Sequence, residues 1–132
     1  MAKIPRISHL QDLKNSGTKF SCLTSYDQFT AEIFDQAGVN VLLVGDSAAE
    51  NHLGHESVLA ITIDEIIPIG RAVARSAESA LVVVDMPFGS YEESPAQAFR
   101  NAARVVKECE CGAIKLEGGR RMGETIRFLT ER

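Results

Sequence analysis

The sequence predicts an α/β protein built on a parallel sheet, and three stretches carry that prediction. VLLVGDS, Val41 to Ser47, is a run of branched apolar residues ending in Gly45, Asp46 and Ser47. ALVVVDMPFGSYE closes its own apolar run at Asp85, and AIKLEGG closes at Glu117. Continuous apolar runs of this length read as strands buried on both faces, which is the condition of a parallel sheet. Each run therefore delivers one carboxylate where its strand leaves the core.

The elements follow in order. Ile7 to Asn15 reads as a short amphipathic helix, with Ser8 and Gln11 as a capping box and Gly17 as its stop. KFSCLTS, Lys19 to Ser25, is the first strand, in which Cys22 is expected to be a buried apolar residue. A helix from about Asp27 to Ala37 comes next, with Phe29, Ile33, Phe34 and Ala37 on one face at helical spacing. Gly38 ends it, and VNVLLVGD is the second strand. Ser47 to Ala60 is polar and reads as a long loop, which in a compact domain usually serves function. Thr62 and Glu65 form a capping box for a helix to about Ser76. Pro68 falls beyond the first turn of that helix and predicts a kink or a later start. ALVVVDMP is the third strand. Ser94, Pro95 and Gln97 supply N-cap, first position and third position of a helix to about Glu108. AIKLE is the fourth strand, and a last helix spans about Met122 to Glu131.

The β-α order repeats four times after a leading helix, so the sheet is parallel with helices outside it. Two architectures fit: an open doubly wound sheet and a (β/α)8 barrel. Neither G-x-G-x-x-G nor G-x-x-x-x-G-K-[ST] occurs, and chemistry carried on several strand ends is a barrel property. A barrel needs about 250 residues. A single domain over residues 1–132 then holds the first half of one.

Composition narrows the function. With 132 residues, 45% hydrophobic, 24% charged and a net charge of -4, the chain reads as one globular, cytoplasmic domain. No run approaches the roughly 18 apolar residues of a membrane span, and MAKIPRISHL has no signal-peptide core. The mildly acidic balance gives no electrostatic case for nucleic acid. The three cysteines imply no disulfide framework, and Cys109-x-Cys111 without a second pair makes no zinc site.

The three strand-end acids, Asp46, Asp85 and Glu117, should gather at one rim. Taken singly, such an acid is most simply a cap for the next helix. At three equivalent places a site becomes the better explanation, and hard oxygen ligands suit Mg2+, which takes one or two carboxylates directly and keeps its waters. Lys115 stands two residues before Glu117 on the same strand face. A lysine within a buried strand needs an anion: Glu117 alone, or a substrate carboxylate held by Lys115 and the Ser47 hydroxyl. His52 and His55 are expected to be solvated loop residues. Tyr26 and Asp27 reach the same rim, Asp27 as a helix cap.

LTSYD (Leu23–Asp27), LLVGDS (Leu42–Ser47), DMPFGSYE (Asp85–Glu92), SPAQAFRNA and IKLEGG (Ile114–Gly119) together resemble the ketopantoate hydroxymethyltransferase family, in order and register from about Ile7 to Glu131. The resemblance implies a (β/α)8 barrel related to the Mg-dependent phosphoenolpyruvate mutase and isocitrate lyase barrels. It implies transfer of a hydroxymethyl group from 5,10-methylenetetrahydrofolate to 3-methyl-2-oxobutanoate, giving 2-dehydropantoate in pantothenate biosynthesis. By matching motif, Asp46, Asp85 and Glu117 are the expected magnesium acids, and Asp46, Ser47, Asp85 and Lys115 the expected oxo-acid contacts. The family's large homo-oligomers make self-association an expectation too. Another Mg-dependent 2-oxo-acid lyase or mutase is the alternative within enzymes, and a chain that only binds or associates is the alternative outside them. Val58 and Ala60 replace the usual Thr and Pro of the loop. The family's glutamate base and a histidine after the fifth strand match nothing up to Arg132, so the 132 residues alone are expected to be catalytically incomplete.

Overall fold

The computed structural model describes residues 6–132. Four strands, β1 (Cys22–Thr24), β2 (Val41–Val44), β3 (Leu81–Asp85) and β4 (Ala113–Lys115), form one sheet in the order β1-β2-β3-β4. Every neighbouring pair is parallel. Helices α2 (Gln28–Gln36), α4 (Ile63–Ser76), α5 (Pro95–Cys109) and α6 (Gly123–Thr130) pack one against the next along the sheet. A doubly wound sheet would reverse its strand order and carry helices on both faces. Sequential order with one helical layer is instead four consecutive units of a (β/α)8 barrel.

The register divides the sheet into two faces. Leu42, Val44, Val82 and Val84 are buried against Ile66, Val73, Ala98, Ala102 and Val105 of the helices, and this layer is the core. The opposite face aligns Thr24, Leu43, Val83 and Ala113 in one row and Asp85 with Lys115 in the next. Alternation along each strand puts these polar residues on the inner wall of the barrel, at its C-terminal rim. Gly70 of α4 permits close helix packing, since a Cβ there would lie 2.8 Å from Cys109 Sγ and 3.2 Å from Val84 Cγ2.

Local chemistry explains most boundaries. Helix α1 (Ile7–Asn15) ends where Gly17, at φ +70°, lets its own N–H reach the Lys14 carbonyl and the Thr18 N–H the Leu13 carbonyl. The N-terminus of α1 differs from the Ser8–Gln11 capping box: Arg6 is the cap residue, and its N–H donates to His9 Nδ1 at 3.0 Å. The Thr62–Glu65 box forms, with Glu65 N–H to Thr62 Oγ1 at 3.2 Å and Thr62 N–H to Glu65 Oε2 at 2.8 Å. Ser94 caps α5 through the Gln97 N–H. Pro68 lies inside α4 without moving its start; the carbonyl it leaves unpaired belongs to exposed Asp64, where water can serve it.

Other expectations are corrected. Cys22 is exposed, because the described part of β1 pairs only with β2. Of the predicted face of α2, Phe34 packs against the core, but Phe29 and Ile33 are 69% and 62% exposed and Ala31 is buried in their place. The expected loop after Ser47 holds a short helix, α3 (Ala48–Asn51), and a 3-10 turn over Val58–Ala60. A further tie went unpredicted. The Asp35 carboxylate accepts N–H groups from Glu78, Ser79 and Ala80 at 3.0, 3.0 and 2.6 Å, fastening the α4–β3 turn to the end of α2. Asp35→Ala orphans those donors, and urea unfolding is expected to show a loss of about 2 kcal/mol.

Candidate active site at the strand ends

Asp85 closes β3 and is only 4% exposed. A carboxylate so buried needs compensation, and both its oxygens have it. Lys115 Nζ lies 2.7 Å from Oδ1, and the Asp46 N–H donates to Oδ2 at 3.3 Å. The same ammonium lies 3.0 Å from Glu117 Oε1. Burial works to lower the Lys115 pKa, but hydrogen bonds and charge from Asp85 and Glu117 outweigh it, so the ammonium is held above its ordinary range. Asp46 shows the reverse balance. Burial, then the charges of Asp85 and Glu117, push its carboxyl up, and Lys115 only partly offsets them.

The next step along the inner row of β2 is Gly45. A Cβ there would stand 2.7 Å from Ser47 Oγ and 3.5 Å from Asp85 Oδ2, so glycine keeps a space between those two groups. Ser47 is the cap residue of α3, yet its hydroxyl makes no capping bond. It meets the Tyr26 hydroxyl at 2.8 Å instead.

Helix capping does not account for the acids. The cap residues after β2 and β3 are Ser47 and Ser94, and those after β4 are Gly118 and Met122. Asp27 is the contrasting case. It caps α2 by accepting the Phe29 and Thr30 N–H groups at 2.8 and 2.9 Å, which holds its carboxyl below the ordinary range. The structure thus brings Asp46, Ser47, Asp85, Lys115 and Glu117 to one rim. Among the described residues, no three His, Cys, Asp or Glu side chains are gathered closely enough to hold a metal as a group. Lys115, standing between Asp85 and Glu117, accounts for that. A hard cation taking one or two carboxylates and its own waters still fits the donor set, and the upward push on Asp46 from its like-charged neighbours is what such a cation would relieve.

The remaining candidates go elsewhere. His55 Nε2 lies 3.2 Å from Glu65 Oε1, tying the loop to the cap of α4, and exposed His52 lies beside the Tyr26 ring. Cys109 and Cys111 are buried, and burial pushes their thiols up to about 12 and about 11. One residue had no role in the sequence analysis. Tyr91, buried after β3, accepts the Glu117 N–H at 3.2 Å. Its position within DMPFGSYE is the only signal, as no periodicity marks it.

The chain is similar to known proteins. A family model described as ketopantoate hydroxymethyltransferase matches residues 5–132. A 3-methyl-2-oxobutanoate hydroxymethyltransferase of Nocardioides sp. is 52% identical over 126 residues, covering 96% of this chain and 43% of that protein. The same enzyme of Mycobacterium sp. is 54% identical over 125 residues, covering 95% and 44%. The chain thus spans less than half the length of these relatives. Among solved structures, phosphonopyruvate hydrolase in complex with oxalate and Mg2+ superposes with a TM-score of 0.72 at 13% identity, over 94% of this chain and 47% of that one. A 2,3-dimethylmalate lyase, a member of the PEP mutase/isocitrate lyase superfamily, gives 0.66 at 16% identity, over 94% and 46%. At such identity the two structures speak for the fold alone.

Two outcomes follow for the native chain. Lys115→Met strands the buried Asp85 charge, and a denaturant titration at neutral pH is expected to show a loss of about 2 kcal/mol, reduced by partial exposure. Iodoacetamide is expected to label exposed Cys22 first and to leave buried Cys109 and Cys111 unmodified until the chain unfolds, as read by peptide mass.

Proposed function

Since the chain belongs to the ketopantoate hydroxymethyltransferase family, we propose that it supplies the metal- and oxo-acid-binding part of an enzyme that moves a hydroxymethyl group from 5,10-methylenetetrahydrofolate to 3-methyl-2-oxobutanoate. The product is 2-dehydropantoate. The observation that carries this function is the Asp46–Asp85–Lys115–Glu117 group, on adjacent strand ends and unspent on helix capping.

Asp46 and Asp85 would hold Mg2+ directly, with Glu117 acting through a water. When bound, the cation supplies Lewis-acid polarisation of the 2-oxo group and so acidifies the neighbouring C–H. Lys115 offsets the charge of the substrate carboxylate, and Ser47, oriented by Tyr26, donates a hydrogen bond to it. Gly45 leaves the acid room beside Asp85. Removal of the C3 proton falls to a glutamate that, by family resemblance, belongs to a later part of the barrel. The working protein is a cytoplasmic homo-oligomer in this proposal. Among the described residues no helix is long and apolar enough to cross a membrane.

A Mg-dependent lyase or mutase on the same fold is the second reading, favoured by the likeness to a hydrolase seen with oxalate and Mg2+. Folate dependence separates the two. Residues 1–132 assayed alone with both substrates and Mg2+ are expected to bind the oxo acid without turnover, and a polypeptide carrying the rest of a family barrel should restore it. Folate-independent cleavage of a 2-oxo acid would favour the second reading.

A pH prediction follows from Asp46. Its pKa is raised in the fold, so the fold favours the protonated form, and that contribution is lost as pH rises through the folded pKa. Without metal, Asp46→Asn is expected to melt above the parent chain at pH 7, the gap closing on acidification to pH values below the usual carboxylate range. Saturating Mg2+ should reverse the order, because only the parent gains by binding.

A further inference from the structure

Tyr91 lies between β3 and α5 and is 6% exposed, whereas Phe88 three residues earlier is 62% exposed. The segment that carries it is tied down at several points. The Glu92 carboxylate takes the Gly89 and Tyr91 N–H groups at 2.8 and 3.2 Å, Gln97 Nε2 donates to the Gly89 carbonyl at 2.9 Å, and Asn101 Nδ2 to the Ser90 carbonyl at 2.7 Å. The ring is therefore fixed rather than adaptable.

What it holds lies across the sheet. Beyond β3 and β4, the Met86 N–H still reaches the Lys115 carbonyl at 3.0 Å. Pro87 follows and has no N–H, and the chain turns away toward α5. The next inward-facing residue of the neighbouring segment is Glu117, and its N–H finds the Tyr91 phenol oxygen at 3.2 Å. A side-chain oxygen thus takes the place of a strand carbonyl, two residues beyond the lysine that neutralises Asp85.

We propose that Tyr91 is a positioning residue of the anion site. Its phenol oxygen fixes the backbone at Glu117, and with it the Lys115–Glu117 pair that faces the substrate carboxylate. This rests on the function proposed above for the site, and the test separates the two. Tyr91→Phe keeps the ring and its packing and removes the acceptor alone.

Amide hydrogen exchange and titration with 3-methyl-2-oxobutanoate in saturating Mg2+ are compared between the parent chain and the Phe variant. The expected result is faster exchange at Glu117 with Ile114 unchanged. Oxo-acid affinity should be about three- to tenfold weaker, the scale of one lost hydrogen bond, at a melting temperature close to the parent's. Unchanged exchange at Glu117 would overturn the positioning bond. Faster exchange with unchanged affinity would leave Tyr91 a structural residue and overturn the proposal. A parent chain that binds no oxo acid would overturn the function of the site, while Glu117 exchange would still decide whether Tyr91 holds that backbone.

Discussion

A carboxylate buried at the end of a strand has to be neutralised where it stands, and Asp85 imposes that condition on the whole rim. Its charge is tolerable because β4 runs beside β3 in a register that sets Lys115 opposite. That register needs a parallel neighbour, and a parallel neighbour needs α5 to bring the chain back across the sheet. Gly45 on the other side keeps the adjacent strand from filling the space. The lysine does not exhaust the negative charge, because Asp85 and Glu117 still add to burial in pushing the Asp46 carboxyl up. The rim therefore keeps an excess of negative charge around one fixed ammonium.

The division of labour between the two sheet faces follows from the same register. Leu42, Val44, Val82 and Val84 bind the helices to the sheet. The alternating set faces the barrel interior, where Asp85 and Lys115 take over at the C-terminal end. The packed core is thus carried on one face and the charged rim on the other, the arrangement that lets barrels vary their strand-end residues without losing their core.

Much of this was legible in the sequence for identifiable physical reasons. The boundaries at Gly17, Thr62 and Ser94 depend on capping chemistry within a few residues, so local pattern suffices. The acids at 46, 85 and 117 were visible because each ends an apolar run. Side-chain spacing placed Phe34 of α2 correctly but not Phe29, Ile33 and Ala37, since that set satisfies helical periodicity as well as Ala31 with Phe34 does; only contact with α4 decides between them. Asp35 and Tyr91 were not legible at all, because their partners lie 43 to 45 and 26 residues away along the chain.

The most direct test of the site is crystallographic. Crystals grown with Mn2+ in place of Mg2+ and with 3-methyl-2-oxobutanoate would locate the cation by its anomalous signal. The predicted result is a metal coordinated by Asp46 and Asp85, with the acid's carboxylate against Lys115 and Ser47. A cation bound away from Asp46 and Asp85, or an oxo acid out of reach of Lys115, would contradict the assignment.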